Sequence, residues 1–573
     1  MLLIEGASRR RAGRRIGWLP AVAAGVYVVV FAVRFGDIVG VGMLNGDTAS
    51  GPVIADLMGE APGGREVVLG NFPWFTSLWA QVGTAWVPGH RTLWEVGPYL
   101  VALVTIGVVA AGAAAVAGRW AAGVVAVVLG CAAPWTVTDV GSWTLHGPGW
   151  LIVAVAAWIA VVVGRGRRRR RPAVRVVGLV AAGALIGTGV ASDKLMWVAA
   201  VVPLALAVGA VAVGVLPADR RRIALIELGA VLAAVVVAAA GLGAWMDAIG
   251  IHAKDYPLHL VSADRVDDNL DILVRALAAL GNGDITGLPF GAAKLLHLAG
   301  IALTLLALAA AAWAVARTLA GAVAARRAAG TEATRRDAGP EARAAVGDAA
   351  PPAPERVVWA GFWALSAVAL IGSFVGTTAP EGIYSSRYLV GVLLAVAALL
   401  PLAVVASARG RAVLAVGVAA FALIGVGSLL RGEMTQNPGR YPSAATAREL
   451  AAFAKARGLT VGYAGYWDAA DLTWNAGDGP LRVYPVIECS PDHQLCPATF
   501  HRISTWYRPR PGTRSFLVLD AALRMEKPTG LDPRLGPPAA VDRVGPLTVY
   551  TFDYDIAARM GAVDPRRGAV VVP

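Results

Sequence analysis

The chain has 573 residues, of which 57% are hydrophobic and only 16% charged, with a mean hydropathy of +0.61. That composition excludes a soluble globular protein of this length and implies an integral membrane protein. The net charge of +13 falls in short arginine blocks between apolar runs, as in cytoplasmic loops under the positive-inside rule, so it is no nucleic-acid footprint.

Runs of about 17 to 25 apolar residues are long enough to span a bilayer. They predict eleven helices near 17–34, 95–117, 120–135, 148–164, 173–191, 195–216, 223–246, 289–316, 358–377, 388–407 and 412–430. With the basic start (Arg9, Arg10, Arg11, Arg14, Arg15) in the cytoplasm, the inside loops carry Arg119, Arg165 to Arg171, Arg220 to Arg222, Arg326 with Arg327, and Arg409 with Arg411. Odd parity then sends the C-terminal region outside. The first segment has no small-residue cleavage site before Arg34 and is expected to be retained as a helix.

Residues 321–357 are rich in Ala, Arg, Glu and Pro without an apolar stripe, which suits a disordered cytoplasmic linker. From Arg431 the period changes. Ala444 to Arg457 reads as a helix, "LTVGYA" as a strand, "YWDAADLTWNAG" as a helix, and "LRVYPV", "SFLVLD" and "LTVYTF" as strands. The expected fold is therefore an α-helical polytopic membrane protein, residues 1–430, followed by a small extracytoplasmic α/β domain, residues 431–573. Cys489 and Cys496 lie close together in a loop of that domain, on the oxidising side, and are a candidate disulfide; Cys131 sits in an apolar run and reads as packing.

The polar residues of the apolar part collect on the outward side. The first outside loop, 35–94, is long and holds Asp47, Asp56, Glu60 and Glu66 before Trp74, Phe75, Trp79, Trp86 and Trp94, spaced as an interfacial aromatic belt or a sugar-binding groove. Later outside loops supply Asp139, Trp143 and His146, then Asp193 with Lys194, then Asp264, Asp267, Asp268 and Asp271, and finally Glu381, Tyr384, Arg387 and Tyr388 at a helix start. Charge at membrane depth is costly, so each is a functional candidate. Simpler roles exist beside these: a helix cap for Asp47, snorkelling for Arg387, an interface marker for His146, a local ion pair for Lys194 with Asp193, and core packing for Trp467 and Trp474.

No H-E-x-x-H, G-x-x-x-x-G-K-[ST] or G-x-S-x-G motif is present, which leaves zinc hydrolysis, nucleotide hydrolysis and serine hydrolysis without their usual apparatus. The remaining carboxylates, imidazole and cations suit group transfer from an anionic lipid carrier: a carboxylate takes the acceptor proton and cations stabilise a phosphate leaving group. No charged residue stands near the middle of a predicted span, which suits ion-coupled transport less well.

In this arrangement the chain resembles the GT-C superfamily of polytopic glycosyltransferases, which includes protein O-mannosyltransferases and the aminoarabinose transferases of lipid A. The likeness rests on "LNGDTAS" (Asp47), "SSRYLV" (Arg387, Tyr388) and a C-terminal domain after the last helix. It is also similar to uncharacterised actinobacterial membrane proteins in its "D-x-A-S" opening, its "HG" (His146, Gly147) and its "YW-x-A" (Tyr466, Trp467, Ala469). The resemblance implies an inverting transfer of a sugar from a polyprenyl-phosphate donor to a cell-envelope glycan, lipid or protein at the outer face of the plasma membrane. It implies Asp47 as the general base, and Arg387 as a phosphate-binding cation. Beside it, His146, Lys194 and Tyr388 are candidates for the donor phosphate, and Asp56, Asp139 and Glu381 for the acceptor or for support. Gly46 stands where many members have a second acid, which argues against a metal-binding pair; magnesium or manganese stays open, held by Asp47 with Asp139 or a substrate phosphate. Other readings are a non-catalytic envelope assembly protein on the same scaffold and a transporter of lipid-linked sugar.

Overall fold

The computed structural model describes residues 18–42, 44, 46–58, 66–70, 91–134, 136–137, 146–165, 172–253, 259–285, 288–335, 353–405, 407–432, 443–477, 479–489, 494–520, 530–560, 562–563 and 570–571. Asp139, Glu60, Trp74, Phe75, Trp79, Trp86 and Trp143 lie outside them.

The apolar runs become helices α1 (Leu19–Gly42), α3 (Arg91–Ala117), α4 (Arg119–Gly130), α5 (Gly147–Gly164), α6 (Pro172–Ser192), α7 (Val202–Gly214), α8 (Ala218–Ala248), α10 (Ala292–Arg335), α11 (Pro354–Gly376), α12 (Val390–Val404) and α13 (Ala408–Arg431). Between them lie α2 (Gly46–Met58) and α9 (Ala263–Leu280). Their ends are written locally. Pro148 opens α5 and Pro354 opens α11, where a missing N–H costs nothing. Ser407 accepts from the Gly410 N–H to cap α13, and Gly432 ends that helix with a left-handed backbone.

Among the described residues, ten helices are long and apolar enough to cross a membrane. The predicted third span is the exception. Helix α4 stops at Gly130 after 12 residues, about 18 Å of rise against a hydrocarbon core of about 30 Å. The Tyr27 hydroxyl donates to the carbonyl of Ala132 just beyond that break, at 2.9 Å, and so satisfies a backbone group left without a helical partner.

Three other expectations are corrected. Of the linker expected at 321–357, residues 321–335 continue α10 and 354–357 open α11, since an alanine-rich, arginine-rich composition is also a good helix former; residues 336–352 lie outside the described residues. The arginines Arg220 to Arg222 belong to the first turns of α8 and not to a loop. The span expected at 195–216 begins with a π-helical turn, Trp197–Val201, in which the Ala199 carbonyl accepts from the Ser366 hydroxyl of α11 at 2.8 Å.

The bundle core is closed by fully buried aromatics: Trp150 of α5 and Trp359, Phe362 and Trp363 of α11. Helices α6 and α8 approach closely because Gly183 and Gly187, four apart, face Val231 and Val235 on α8; a Cβ on Gly183 would lie 2.7 Å from the Val231 carbonyl oxygen.

The C-terminal region holds α14 (Ala444–Ala456), α15 (Tyr466–Asn475) and strands β3 (Val461–Gly465), β4 (Arg482–Glu488), β5 (Leu495–Pro497), β7 (Ser515–Asp520), β8 (Ala540–Val544) and β9 (Leu547–Phe552). They form one six-stranded sheet in the order β5-β4-β3-β7-β9-β8. Strand β3 runs parallel to β4 and β7, and the outer pairs are antiparallel. A disulfide joins Cys489 to Cys496 across the end of the β4–β5 hairpin.

A second, three-stranded sheet ties distant segments together. Its order is β2-β1-β6, with β1 (Val67–Leu69) from the first long loop, β2 (Ile251–Ala253) after α8 and β6 (Arg502–Ile503) from the C-terminal region. Apolar residues follow the same connection: Val53 and Ile54 of α2, Met246 of α8, and Tyr463 and Trp474 of the C-terminal region share one buried cluster.

Candidate functional site

Three separate segments meet at one end of the bundle. His146 precedes α5 in a left-handed backbone conformation, φ 67°, uncommon for a residue with a side chain but tolerated by histidine. The turn aims the buried imidazole at Asp193, which follows α6: Nδ1 lies 2.7 Å from Oδ2. The other carboxylate oxygen, Oδ1, accepts from the Leu195 N–H at 2.9 Å, and this fixes the carboxylate at the start of the π-helical stretch. Asp193 is 8% exposed and thus draws its counter-group from His146, correcting the expected local pair with Lys194, whose side chain is exposed. The reason is geometric: neighbours in a turn diverge, whereas the His146 ring closes on Asp193 from a different helix.

The third segment is the short 3-10 helix Ile383–Leu389, which takes the place of the first turn of the span expected at 388–407. It brings the Tyr388 ring to 5.0 Å from the His146 ring, centroid to centroid. Arg387 lies over the Tyr388 ring at 5.2 Å and donates from Nη2 to the Tyr388 hydroxyl at 3.4 Å. A half-buried guanidinium, a phenol and an imidazole held by a carboxylate thus converge; such a group stabilises a multivalent anion. Glu381 is exposed in the same segment and accepts from the Tyr384 hydroxyl at 3.3 Å.

An apolar cavity of about 420 Å³ lies between α10, α12 and α13, with Leu277 and Leu280 of α9 also in its wall. Its wall on α12 starts at Val392, one turn after Tyr388, and continues to Val404, about 18 Å along the helix. Among the described residues, the only side-chain polar atom in the wall is the Thr304 hydroxyl, which donates to the Gly300 carbonyl at 2.9 Å.

Asp47 belongs to a second group. It lies in the first turn of α2, not at a cap, since that helix already begins at Gly46. Its Oδ1 accepts a 2.5 Å hydrogen bond from the hydroxyl of Tyr466, the first residue of α15. Tyr466 is packed among Trp467, Phe500 and His501, with ring centroids at 5.0, 4.5 and 6.1 Å. His501 also takes a left-handed backbone, φ 50°. Helix α2 packs on α15, whereas the 3-10 helix of Arg387 packs on α9, α11 and α12. Asp56 is exposed further along α2. Among the described residues no three His, Cys, Asp or Glu side chains are grouped to hold a metal ion.

Comparison of the chain with protein-family models, curated proteins and solved structures gives no match, so the site is read from its own chemistry.

Sequence reasoning selected His146, Arg387 and Tyr388, which converge, and Asp47, whose partner it missed. Tyr466 lies 419 positions from Asp47, and no local periodicity links them. Nothing in the sequence links Asp193 to His146, 47 positions away. The cue for its role was the "HGP" turn, where a histidine before Gly147-Pro148 marks an irregular backbone.

Proposed function

We propose that the chain is a multi-pass plasma-membrane glycosyltransferase that moves a sugar from a polyprenyl-phosphate donor to a cell-envelope acceptor at the outer face. The observation that carries this reading is the convergence of Arg387, Tyr388 and the His146–Asp193 pair, with Tyr388 one helical turn before Val392, where the wall of a long apolar cavity begins on α12. A phosphate with an isoprenoid tail has that division of chemistry: an anion for the cluster and a hydrocarbon chain for the cavity.

Topology supports the outward side. Strands β1 and β2 pair, so they lie on one face of the membrane, and the crossings between them are even in number. Five of the ten long apolar helices lie between them, and counting α4 as a further crossing makes the number even. Four more lie between β2 and β6, again even. With α4 counted as a crossing the total is eleven and the N-terminus faces away from the C-terminal region; the arginine blocks of the sequence favour a cytoplasmic N-terminus. Leu260, which follows β2, pairs with Thr377, so Asp47 and Arg387 face the same side.

In the reaction, Asp47 takes the proton of the acceptor hydroxyl as its oxygen attacks the anomeric carbon. The bond from that carbon to the phosphate oxygen breaks with inversion, and polyprenyl phosphate leaves with the electron pair. Arg387 and His146, held by Asp193, stabilise the charge that builds on the phosphate.

The test uses membranes with the native protein, Asp47→Asn or Arg387→Ala, supplied with radiolabelled polyprenyl-phosphate hexose and pentose donors. Transfer by the native protein, reduced at least about a hundredfold by Asp47→Asn, is expected for a lost general base. Equal transfer by native and Asp47→Asn protein would sink the assignment.

A further inference from the structure

We propose that Tyr466 is a positioning residue for Asp47, so that the C-terminal region completes the catalytic site of the membrane part. This rests on the reading of Asp47 as the general base.

The sheet explains why the contact forms where it does. Strand β3 is flanked by β4 on one side and β7 on the other, both parallel to it. The chain leaves β3 through α15 to reach β4, and β7 is added on the opposite edge, so the order reverses at β3. In open α/β sheets the crevice at the carboxyl ends of the strands at such a point is the usual place for a ligand. Here the residues directly after the carboxyl end of β3 are Tyr466 and Trp467, and the first turn of α2 stands against them. A Cβ on Gly46 would lie 2.8 Å from the Tyr466 carbonyl oxygen and 2.9 Å from the Trp467 Cα, so Gly46 is what allows the approach. In place of a soluble ligand, the sheet presents the carboxyl end of β3 to the chain's own carboxylate.

The partner it presents is a phenol with little freedom. Tyr466 is 1% exposed, and Phe500 and Trp467 hold its ring. Its hydroxyl donates to Asp47 Oδ1 at 2.5 Å. Fixing one oxygen fixes the carboxylate plane and hence the direction of the lone pairs that meet the acceptor hydroxyl. Small errors in such directions cost large factors in rate. Tyr466 thus acts on kcat through Asp47, and donor binding, carried by Arg387 and the apolar cavity, is left alone.

The experiment compares full-length native protein, Tyr466→Phe, Asp47→Asn and the double variant in lipid nanodiscs, with radiolabelled polyprenyl-phosphate hexose as donor. Tyr466→Phe keeps the ring and its packing. It is expected to lower kcat by about ten- to a hundredfold, the range for a hydrogen bond to a charged group, with donor KM within about twofold. The double variant is expected to match Asp47→Asn. A second route, Gly46→Ala, displaces the contact while leaving both the Asp47 and the Tyr466 side chains in place and is expected to lower kcat in the same way, which keeps the test decisive should Tyr466→Phe fold poorly. A native kcat in Tyr466→Phe or in Gly46→Ala, or losses that multiply in the double variant, overturns the positioning role while Asp47→Asn still reports on the general base. No transfer by native protein, or equal transfer by native protein and Asp47→Asn, removes the reading of Asp47 and the role of Tyr466 together.

Discussion

His146 Nδ1 and Asp193 Oδ2 are 2.7 Å apart although the residues are 47 positions apart and both side chains are nearly sealed from solvent. The carboxylate fixes which ring nitrogen is engaged and, with it, the face that the imidazole turns to Tyr388. Asp193→Asn keeps the shape and removes the charge, and it is expected to slow transfer by about ten- to a hundredfold through loss of a charge-assisted hydrogen bond. His146→Asn is the matching substitution, because asparagine also tolerates the left-handed backbone at 146 whereas alanine adds strain. Both are read by transfer rate beside thermal unfolding. Unchanged rates in both variants would show the pair to be structural.

Arg387 offers a sharper separation. Arg387→Lys keeps one positive charge but loses the planar fork that meets phosphate oxygens and the Tyr388 ring. Donor KM is expected to rise by roughly tenfold in Arg387→Lys and further in Arg387→Ala, on the scale of one charge-assisted hydrogen bond. Titration with labelled donor measures it. A KM that follows charge alone, equal in Lys and native protein, would contradict phosphate recognition by the fork.

Much of this architecture is legible in the sequence, and the illegible part has a common cause. The spans around α5, α6 and α13 and the strands "LTVGYA", "LRVYPV", "SFLVLD" and "LTVYTF" appear where hydrophobic period puts them, because burial follows the local pattern. Helix α4 ends early since the chain breaks at Cys131 to Ala133, where Tyr27 from another helix supplies the missing hydrogen bond. Strands β1, β2 and β6 have two or three residues each and exist only by pairing with one another across the whole chain. The same holds for the site: residue types on the outward side could be sorted by charge and parity, but the partnerships His146–Asp193 and Asp47–Tyr466 are tertiary.

Asp471 of α15 is fully buried, its Oδ1 accepts from Asn475, and its Oδ2 has no partner among the described residues. Burial pushes its carboxyl well above the ordinary aspartate value, and the Asn475 hydrogen bond opposes this only in part. With the folded value raised, the unfolded chain releases its proton first as pH climbs past about 3.9, and the folded state loses stability over that rise. Asp471→Asn removes a titrating group while keeping the shape. It is expected to raise the unfolding midpoint at pH 7, with the gain shrinking towards zero below about pH 4. Thermal unfolding of both proteins across pH 4 to 8 measures it, and a gain independent of pH would mean that charge burial is not its source.

The apolar cavity carries the last prediction, because one of its wall residues can be enlarged without collision. Gly417 of α13 lines the space, and a Cβ there would meet nothing within 4 Å, whereas Gly410, also in the wall, is pressed against Val404. Gly417→Phe therefore places a ring in the cavity, and since the change replaces glycine within a helix, no loss of helical stability is expected. A cavity of about 420 Å³ that holds the donor's hydrocarbon chain is narrowed by such a ring, while the phosphate cluster at Arg387 is untouched. The expected result depends on the donor. With a long-chain polyprenyl-phosphate sugar, KM rises by roughly tenfold or more, the equivalent of about two buried methylene groups. With a donor cut to one or two isoprene units, Gly417→Phe and native protein transfer alike, since the short chain does not reach α13. Equal KM values for the long donor in the two proteins would place the lipid chain elsewhere on the bundle.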